Sequence, residues 1–411
     1  MSLREKQTRP GTAFALSLAL VTVLAPAATD MYLASMPDIA RHLGVSYASV
    51  QLTLTVFLLA QGAGQVFFGP VIDRFGRRLP LLAGIMVFIL SSVWAGCSAS
   101  IAGLVVSRFI QGLAGALLLV IGFSSVRDVA QGAAAARLFA VLLTIEGLAP
   151  IFAPIVGGYV DAFFGWRAVL FVSAGMGCAA LANSALRLPE TLPAARRIPL
   201  KPSVIISTYR RIASDRAFML PTLALSGVFF FLFAYVGGGA YLYQDMYGLG
   251  PDAFGLVFGV TGAAVMAGAM TSGRLTRGNA IPDVALLGIT LIIAGTGVAF
   301  ASAVSVGIKG VIGGFMIAMF GLGIAEPALV SLCMESQKTA LGFTAALMGS
   351  MHLMLSSLST PISGYLLPLG KEYWFIFLLV SGAGTFMLAA IARSWLHRKG
   401  TETGFAATHG D

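Results

Sequence analysis

The chain has 411 residues and a formal net charge of +9, with 57% hydrophobic and only 10% charged residues. An ordinary soluble domain carries about 25% charged residues, so these charges cannot cover a globular surface and lipid must face most of the exterior. The basic residues fall in short clusters between apolar runs, which argues against nucleic acid as a partner, and Cys97, Cys178, Cys333 and the four histidines lie too far apart for a disulfide framework or a metal site.

A membrane span needs roughly 20 apolar residues to cross the hydrocarbon layer. In chain order such runs predict helices at 12–34, 49–71, 79–98, 101–124, 138–160 and 166–187. A second set follows at 217–242, 253–273, 283–303, 306–331, 340–366 and 373–395. The predicted fold is an all-α integral membrane protein of twelve helices in two pseudo-symmetric six-helix bundles. The organisation is 1–187 as the first bundle, 188–216 as a cytoplasmic linker, 217–396 as the second bundle and 397–411 as a cytoplasmic tail.

Charge sets the orientation. With both ends cytoplasmic, Arg4, Lys6, Arg9, Arg74, Arg77, Arg78, Arg127 and Arg137 fall inside. So do the linker residues Arg196, Arg197, Lys201, Arg210, Arg211 and Arg216 and the terminal Arg398 and Lys399. Roughly 21 of the 26 basic residues are then inside, as the positive-inside rule requires. Arg41, Arg167, Lys309 and Lys371 remain outside. Reading the first run as a cleaved signal peptide would reverse every later loop against this rule.

The sharpest local pattern is Gly69-Pro70-Val71-Ile72-Asp73-Arg74-Phe75-Gly76-Arg77-Arg78, between the second and third spans. Its glycines permit a tight turn, and Asp73 among Arg74, Arg77 and Arg78 predicts a charge network at the cytoplasmic rim. A degenerate echo, Ser272 to Gly278, follows the eighth span and fits a duplicated six-helix unit.

These residues resemble the loop motif of the major facilitator superfamily. Arg108-Phe109-Ile110-Gln111-Gly112-Leu113-Ala114-Gly115 is similar to the span-four motif of its drug:proton antiporters. Pro150-Ile151-Phe152-Ala153-Pro154-Ile155-Val156-Gly157-Gly158 is similar to their span-five antiporter motif, with Ala153 where glycine is usual. Ala28-Thr29-Asp30-Met31-Tyr32-Leu33 and Leu188-Pro189-Glu190-Thr191 resemble the Bcr/CflA branch, which includes chloramphenicol and multidrug exporters. The resemblance implies a proton-coupled antiporter of a bacterial inner membrane that exports phenicols or lipophilic cations. Its gating loop would comprise Gly69, Asp73, Arg74, Gly76, Arg77 and Arg78, with Pro150, Pro154, Gly157 and Gly158 as close-packing sites on the fifth span.

Ionisable groups inside spans are costly and commonly line cavities or relay protons. Away from the span ends these are Asp30, Arg108, Glu146 and Glu326. Asp30 and Arg108 lie about 6 and 10 Å from the outer ends of their spans, so the arginine is expected to reach the carboxylate. Asp30, Arg108 and Glu146 are the predicted proton-coupling residues, and Tyr32, Glu146, Gln61 and Tyr235 the predicted substrate contacts. An ion pair that only fixes helix packing is the plainer reading of Asp30 and Arg108.

No cofactor is expected beyond the coupling protons. The chain has no phosphate-binding loop and no nucleophile–base set, which argues against ATP drive and an enzyme. The expected partners are the bilayer and a small lipophilic drug, and the expected state is a monomer. The alternatives are export of a native metabolite, such as a sugar or nucleoside, and, remotely, an ion channel.

Overall fold

A computed structural model describes residues 11–197, 202–337 and 340–408. Arg4, Lys6, Arg9 and Lys201 lie outside the described residues, as do the side chains of Arg196 and Lys399. Before the linker come α1 (Thr12–Thr22), α2 (Leu24–Leu33), α3 (Met36–Leu43), α4 (Tyr47–Phe75), α5 (Arg78–Cys97), α6 (Ile101–Val129), α7 (Gly132–Phe164) and α8 (Trp166–Arg187). The linker holds α9 (Pro202–Ala213). Then follow α10 (Arg216–Ala240), α11 (Pro251–Leu275), α12 (Ile281–Ser305), α13 (Ile308–Glu335), α14 (Leu341–Ser357), α15 (Ser359–Leu366) and α16 (Lys371–Thr408).

Among the described residues, 11 helices are long and apolar enough to span a membrane, and the α1–α2 pair makes a twelfth. That pair is not the single straight helix expected over 12–34: it bends by 43° at Val23. Pro26 explains the break, because its nitrogen has no hydrogen to give the Thr22 carbonyl one turn back. Several helices run past the apolar limits read from sequence, α7 by six residues at its start. Such ends are wetted, so helix and apolar run need not coincide.

Twelve crossings leave two faces. One, the linker face, carries α9, the corners near 76, 130 and 278, the end of α13 and the start of α14, and both ends of the described chain. The opposite face carries the corners near 45, 99, 165, 248, 306 and 370. Helices α1 to α8 pack chiefly on one another, as do α10 to α16. The two halves meet along two seams, α7 against α11 and α4 against α14 and α15.

Small residues make these contacts close. Without a hydrophobic drive in lipid, helices associate through backbone approach and interhelical hydrogen bonds. At the first seam Gly158 lies on the Pro251 backbone, and a Cβ on Gly262 would stand 2.6 Å from the Pro150 carbonyl oxygen. At the second, a Cβ on Gly62 would stand 2.8 Å from Met354 Cγ. A side chain at any of these positions would force the halves apart.

The seams close at the opposite face. Gln244 donates to the Ala34 carbonyl at 2.8 Å, Arg41 pairs with Asp245 at 2.9 Å, and Thr55 bonds Thr360 at 2.7 Å. Helix α10 ends in a π-helical turn, Tyr241–Met246, and the Tyr241 N–H turns to the Gly238 carbonyl. The Gly237 carbonyl instead accepts from the Tyr47 hydroxyl at 2.7 Å and from the Gln51 amide, both on the first half. A local defect in one helix thus becomes an acceptor for the other half.

Candidate functional site

Arg108 is fully buried on α6. Its guanidinium stacks over the Tyr32 and Phe57 rings, 4.5 and 4.3 Å from their centroids. Its Nη1 donates to Gln111 Oε1 and, at 3.5 Å, to the Ala28 carbonyl. Gln111 in turn donates to the Ser92 hydroxyl at 2.7 Å. A charge held between two ring faces is partly compensated by their quadrupoles, and among the described residues no carboxylate pairs with it.

This corrects the expected Asp30–Arg108 pair. Both residues do lie in the half-membrane toward the opposite face, but the guanidinium turns to the aromatic rings, and Asp30 has no ion-pair or hydrogen-bond partner among the described residues. Helix geometry gives the reason. Ala28 and Tyr32 face Arg108, while Ala27 and Met31 pack on α7 at Ala153 and Gly157. Asp30 projects from the remaining side, in line with Ala34, which meets Gln244 of the second half. It is part-exposed there.

Tyr32 is wholly engaged within the first half: its ring takes Arg108 and its hydroxyl bonds Thr53 at 2.7 Å. Glu146, part-exposed on α7, faces the Thr22 side chain at the α1–α2 break, and its Oε1 has no hydrogen-bond partner. Gln61 lies buried one turn before Gln65, along the α4–α14 seam. Tyr235 belongs to an aromatic core of the second half, stacked on Phe258 at 5.0 Å and tilted against Phe315 at 4.6 Å. Glu326 is part-exposed and has no partner among the described residues, on the side of α13 where Phe315 and Cys333 meet α10. His352 lies against Phe229 at 4.1 Å, its Nδ1 unbonded.

At the linker face the structure resolves the arginine-rich motif differently from expectation. Gly69 makes no turn, because α4 runs on to Phe75. Gly76 makes it, at a φ of 89° that other residues seldom adopt. Its missing Cβ also leaves room for Glu190, whose Oε2 would stand 2.5 Å from one. Asp73 does not gather three arginines. Only Arg77 meets it, with Nη1 at 2.8 Å.

Arg77 points to a residue outside the motif, Asp128 at the end of α6, at 2.8 Å from Nε and 3.4 Å from Nη2. Thr191 also donates to Asp128, at 3.1 Å. Glu190 accepts the backbone N–H groups of Arg77, Leu192 and Arg78 at 2.8, 2.9 and 3.3 Å. Partial burial pushes the Glu190 carboxyl up, but these N–H groups and the Arg197 charge outweigh it and hold it below the usual carboxylate range. Arg78 donates to the Ala185 carbonyl at 2.9 Å, and Arg74 is exposed beside Phe75. One buried arginine therefore ties together the ends of α4, α5 and α6 and the start of the linker. Asp128 escaped the sequence reading because its partner lies 51 residues away.

On α7, Pro150, Pro154, Gly157 and Gly158 alternate between two neighbours. Gly157 receives the Met31 backbone of α2, while Pro150, Pro154 and Gly158 meet α11 at Gly262, Gly255 and Pro251. The antiporter-like run is thus a line of close packing shared by the α1–α2 span and the second half.

Comparison with known proteins agrees with this architecture. An "Uncharacterized MFS-type transporter YdgK" of Bacillus subtilis is 36% identical over 86% of this chain and 88% of its own. A chloramphenicol resistance protein of Pseudomonas aeruginosa is 30% identical over 75% and 73%. A bicyclomycin resistance protein homolog of Haemophilus influenzae is 34% identical over 60% and 62%. Among solved structures, a peptide transporter in complex with alafosfalin superposes with a TM-score of 0.75 over 93% of this chain and 94% of its own. At 14% identity it speaks for the fold alone. The resistance proteins carry the likeness to the drug:proton antiporter branch. The model of the Major Facilitator Superfamily matches residues 18–361, and the chain belongs to that family of transporters.

Proposed function

We propose that the protein is a proton-coupled exporter of lipophilic drugs, such as phenicols or lipophilic cations, in a bacterial inner membrane. The relatives named for resistance to chloramphenicol and bicyclomycin support the substrate class. With the linker face cytoplasmic, as the charge distribution supports, the closed face is the outer one, and drug loads from the cytoplasm or inner leaflet.

The observation that carries the coupling is Asp30: a part-exposed carboxyl without a partner among the described residues, on the side of α2 turned to the second half. A group unpaired within the membrane is stable only when neutral or wetted, so its protonation follows which face is open. Protons reach Asp30 when the outer face opens, and the halves then rock back. Arg108, held between the Tyr32 and Phe57 rings, serves the coupling by fixing how α2 packs on α4 and α6 beside Asp30. Glu146 at the α1–α2 break serves the drug or a second proton. Protons are the only coupling species in this scheme, and one chain suffices for it.

The test is drug transport in proteoliposomes under an imposed pH gradient, with Asp30→Asn beside the unmodified protein. The variant is expected to insert normally and lose pH-driven accumulation while retaining downhill drug exchange. Full uphill transport by Asp30→Asn would refute the assignment.

A further inference from the structure

Two neighbouring spans are broken by proline at one level of the membrane. The α1–α2 span and α7 both start at the linker face, and they run in register: Ala27 packs with Ala153, and Met31 lies on Gly157. Carried four residues back, that register sets Val23 beside Ala149, next to Thr22 and Glu146. Pro26 has no N–H for the Thr22 carbonyl, and Pro150 has none for the Glu146 carbonyl. In this register the two freed carbonyls differ by two residues, about 3 Å in height. The Glu146 side chain completes the group: it faces Thr22, and its Oε1 has no hydrogen-bond partner among the described residues.

A carbonyl so freed in a span must find another donor. Here two of them stand with a carboxyl, so three acceptors ask for hydrogen atoms and, once the carboxyl ionises, for positive charge. An ammonium group that keeps its N–H bonds answers both needs. A fully methylated nitrogen answers only the second, and its charge is better met by aromatic faces. Two turns nearer the linker face, on the same side of α7 as Glu146, Phe139 pairs with Phe123 of α6 at 6.0 Å between centroids. That pair lies about 10 Å along the helix from Glu146, within reach of an aromatic body attached to the ammonium by a short chain.

From this we infer that Glu146 and the carbonyls freed by Pro26 and Pro150 form a site for amphiphilic amines whose charged nitrogen still carries N–H. Quaternary ammonium ions of the same charge are disfavoured there. The inference rests on the proposed function, in which Glu146 serves the drug, and it narrows the lipophilic cations to one chemical class. Selectivity comes from the carbonyls rather than from charge. A bound quaternary ion keeps water from them and gives nothing back, and a site that loses its donors rejects the analogue lacking them.

Equilibrium binding to the purified protein in detergent, with no gradient imposed, tests the site apart from transport. The probes are dansylcadaverine, an aromatic body with a primary ammonium, and its trimethylammonium counterpart, both followed by dansyl fluorescence. The unmodified protein is expected to bind the primary amine about tenfold more tightly, the worth of one hydrogen bond to a charged group. Glu146→Gln should weaken both probes. Pro150→Ala returns an N–H to the Glu146 carbonyl and should weaken the primary amine by about threefold to tenfold. Pro26→Ala should do the same through the Thr22 carbonyl. Trimethylammonium binding should be unchanged in both proline variants, which also shows that they are folded. Equal affinity for the two probes, tighter binding of the trimethylammonium form, or a full preference in both proline variants would overturn the inference. The expected preference in a protein that exports neither probe would uphold the site and count against the exporter. Proton-driven export of both probes without preference in binding would uphold the exporter and overturn the site.

Discussion

Replacing Arg77 by glutamine should destabilise the first half more than any other single change in the arginine-rich motif, and the loss should run through Asp128 rather than Asp73. Arg77 is 5% exposed and makes two hydrogen bonds to Asp128, whose side chain is 15% exposed. Breaking a buried charge pair costs about 3–5 kcal/mol. Thr191 still donates to Asp128, which places this case near the lower end, ~3 kcal/mol. The contact to Asp73 is as short, but it is a misaligned ion pair: Arg77 Nη1 makes no hydrogen bond there, and Asp73 is 42% exposed. Solvent-exposed pairs at this helical spacing are worth about 0.3–0.5 kcal/mol. Reversible unfolding in mixed micelles gives the quantities through double-mutant cycles. Arg77→Gln with Asp128→Asn should show a coupling of about 2 kcal/mol, and Arg77→Gln with Asp73→Asn one below about 0.5 kcal/mol. A larger coupling to Asp73 would mean that the motif's own aspartate organises the corner, and would refute the reasoning.

Gly158→Val should keep the halves from closing at the opposite face, because its side chain meets the Pro251 backbone; labels on that face should read open, and transport should fall at least tenfold. Gly76→Ala places a Cβ at positive φ and against Glu190, and should lower stability by about 1–2 kcal/mol, measured by the same unfolding assay. The Glu190 carboxyl is held below its unfolded value, so its contribution is present at neutral pH and is lost as the pH falls through the folded value. Stability should therefore decline on acidification below about pH 4, and less steeply in Glu190→Gln.

Much of the fold was legible in sequence because lipid imposes one rule on every span, an apolar run of fixed length. Composition alone therefore located all twelve crossings, and Gly157 and Gly158 fall at close contacts as their size suggests. What stayed hidden depends on rotation about helix axes and on long-range partners. The depths of Asp30 and Arg108 were readable, but not that they leave their helices in different directions. The bend at Val23 was foreshadowed by Pro26, a signal masked by an unbroken apolar run. Asp128 had no local pattern at all. Its meaning comes from what the fold sets beside it, the buried Arg77.

Coupling is tested most directly by following protons while drug is added. Purified protein in liposomes holding a pH-sensitive dye, with no gradient imposed, is given an outward drug gradient from the lumen. Proton uptake into the lumen is expected with the unmodified protein and absent with Asp30→Asn. Drug leaving at the same rate with no lumenal pH change in the unmodified protein would contradict the central claim.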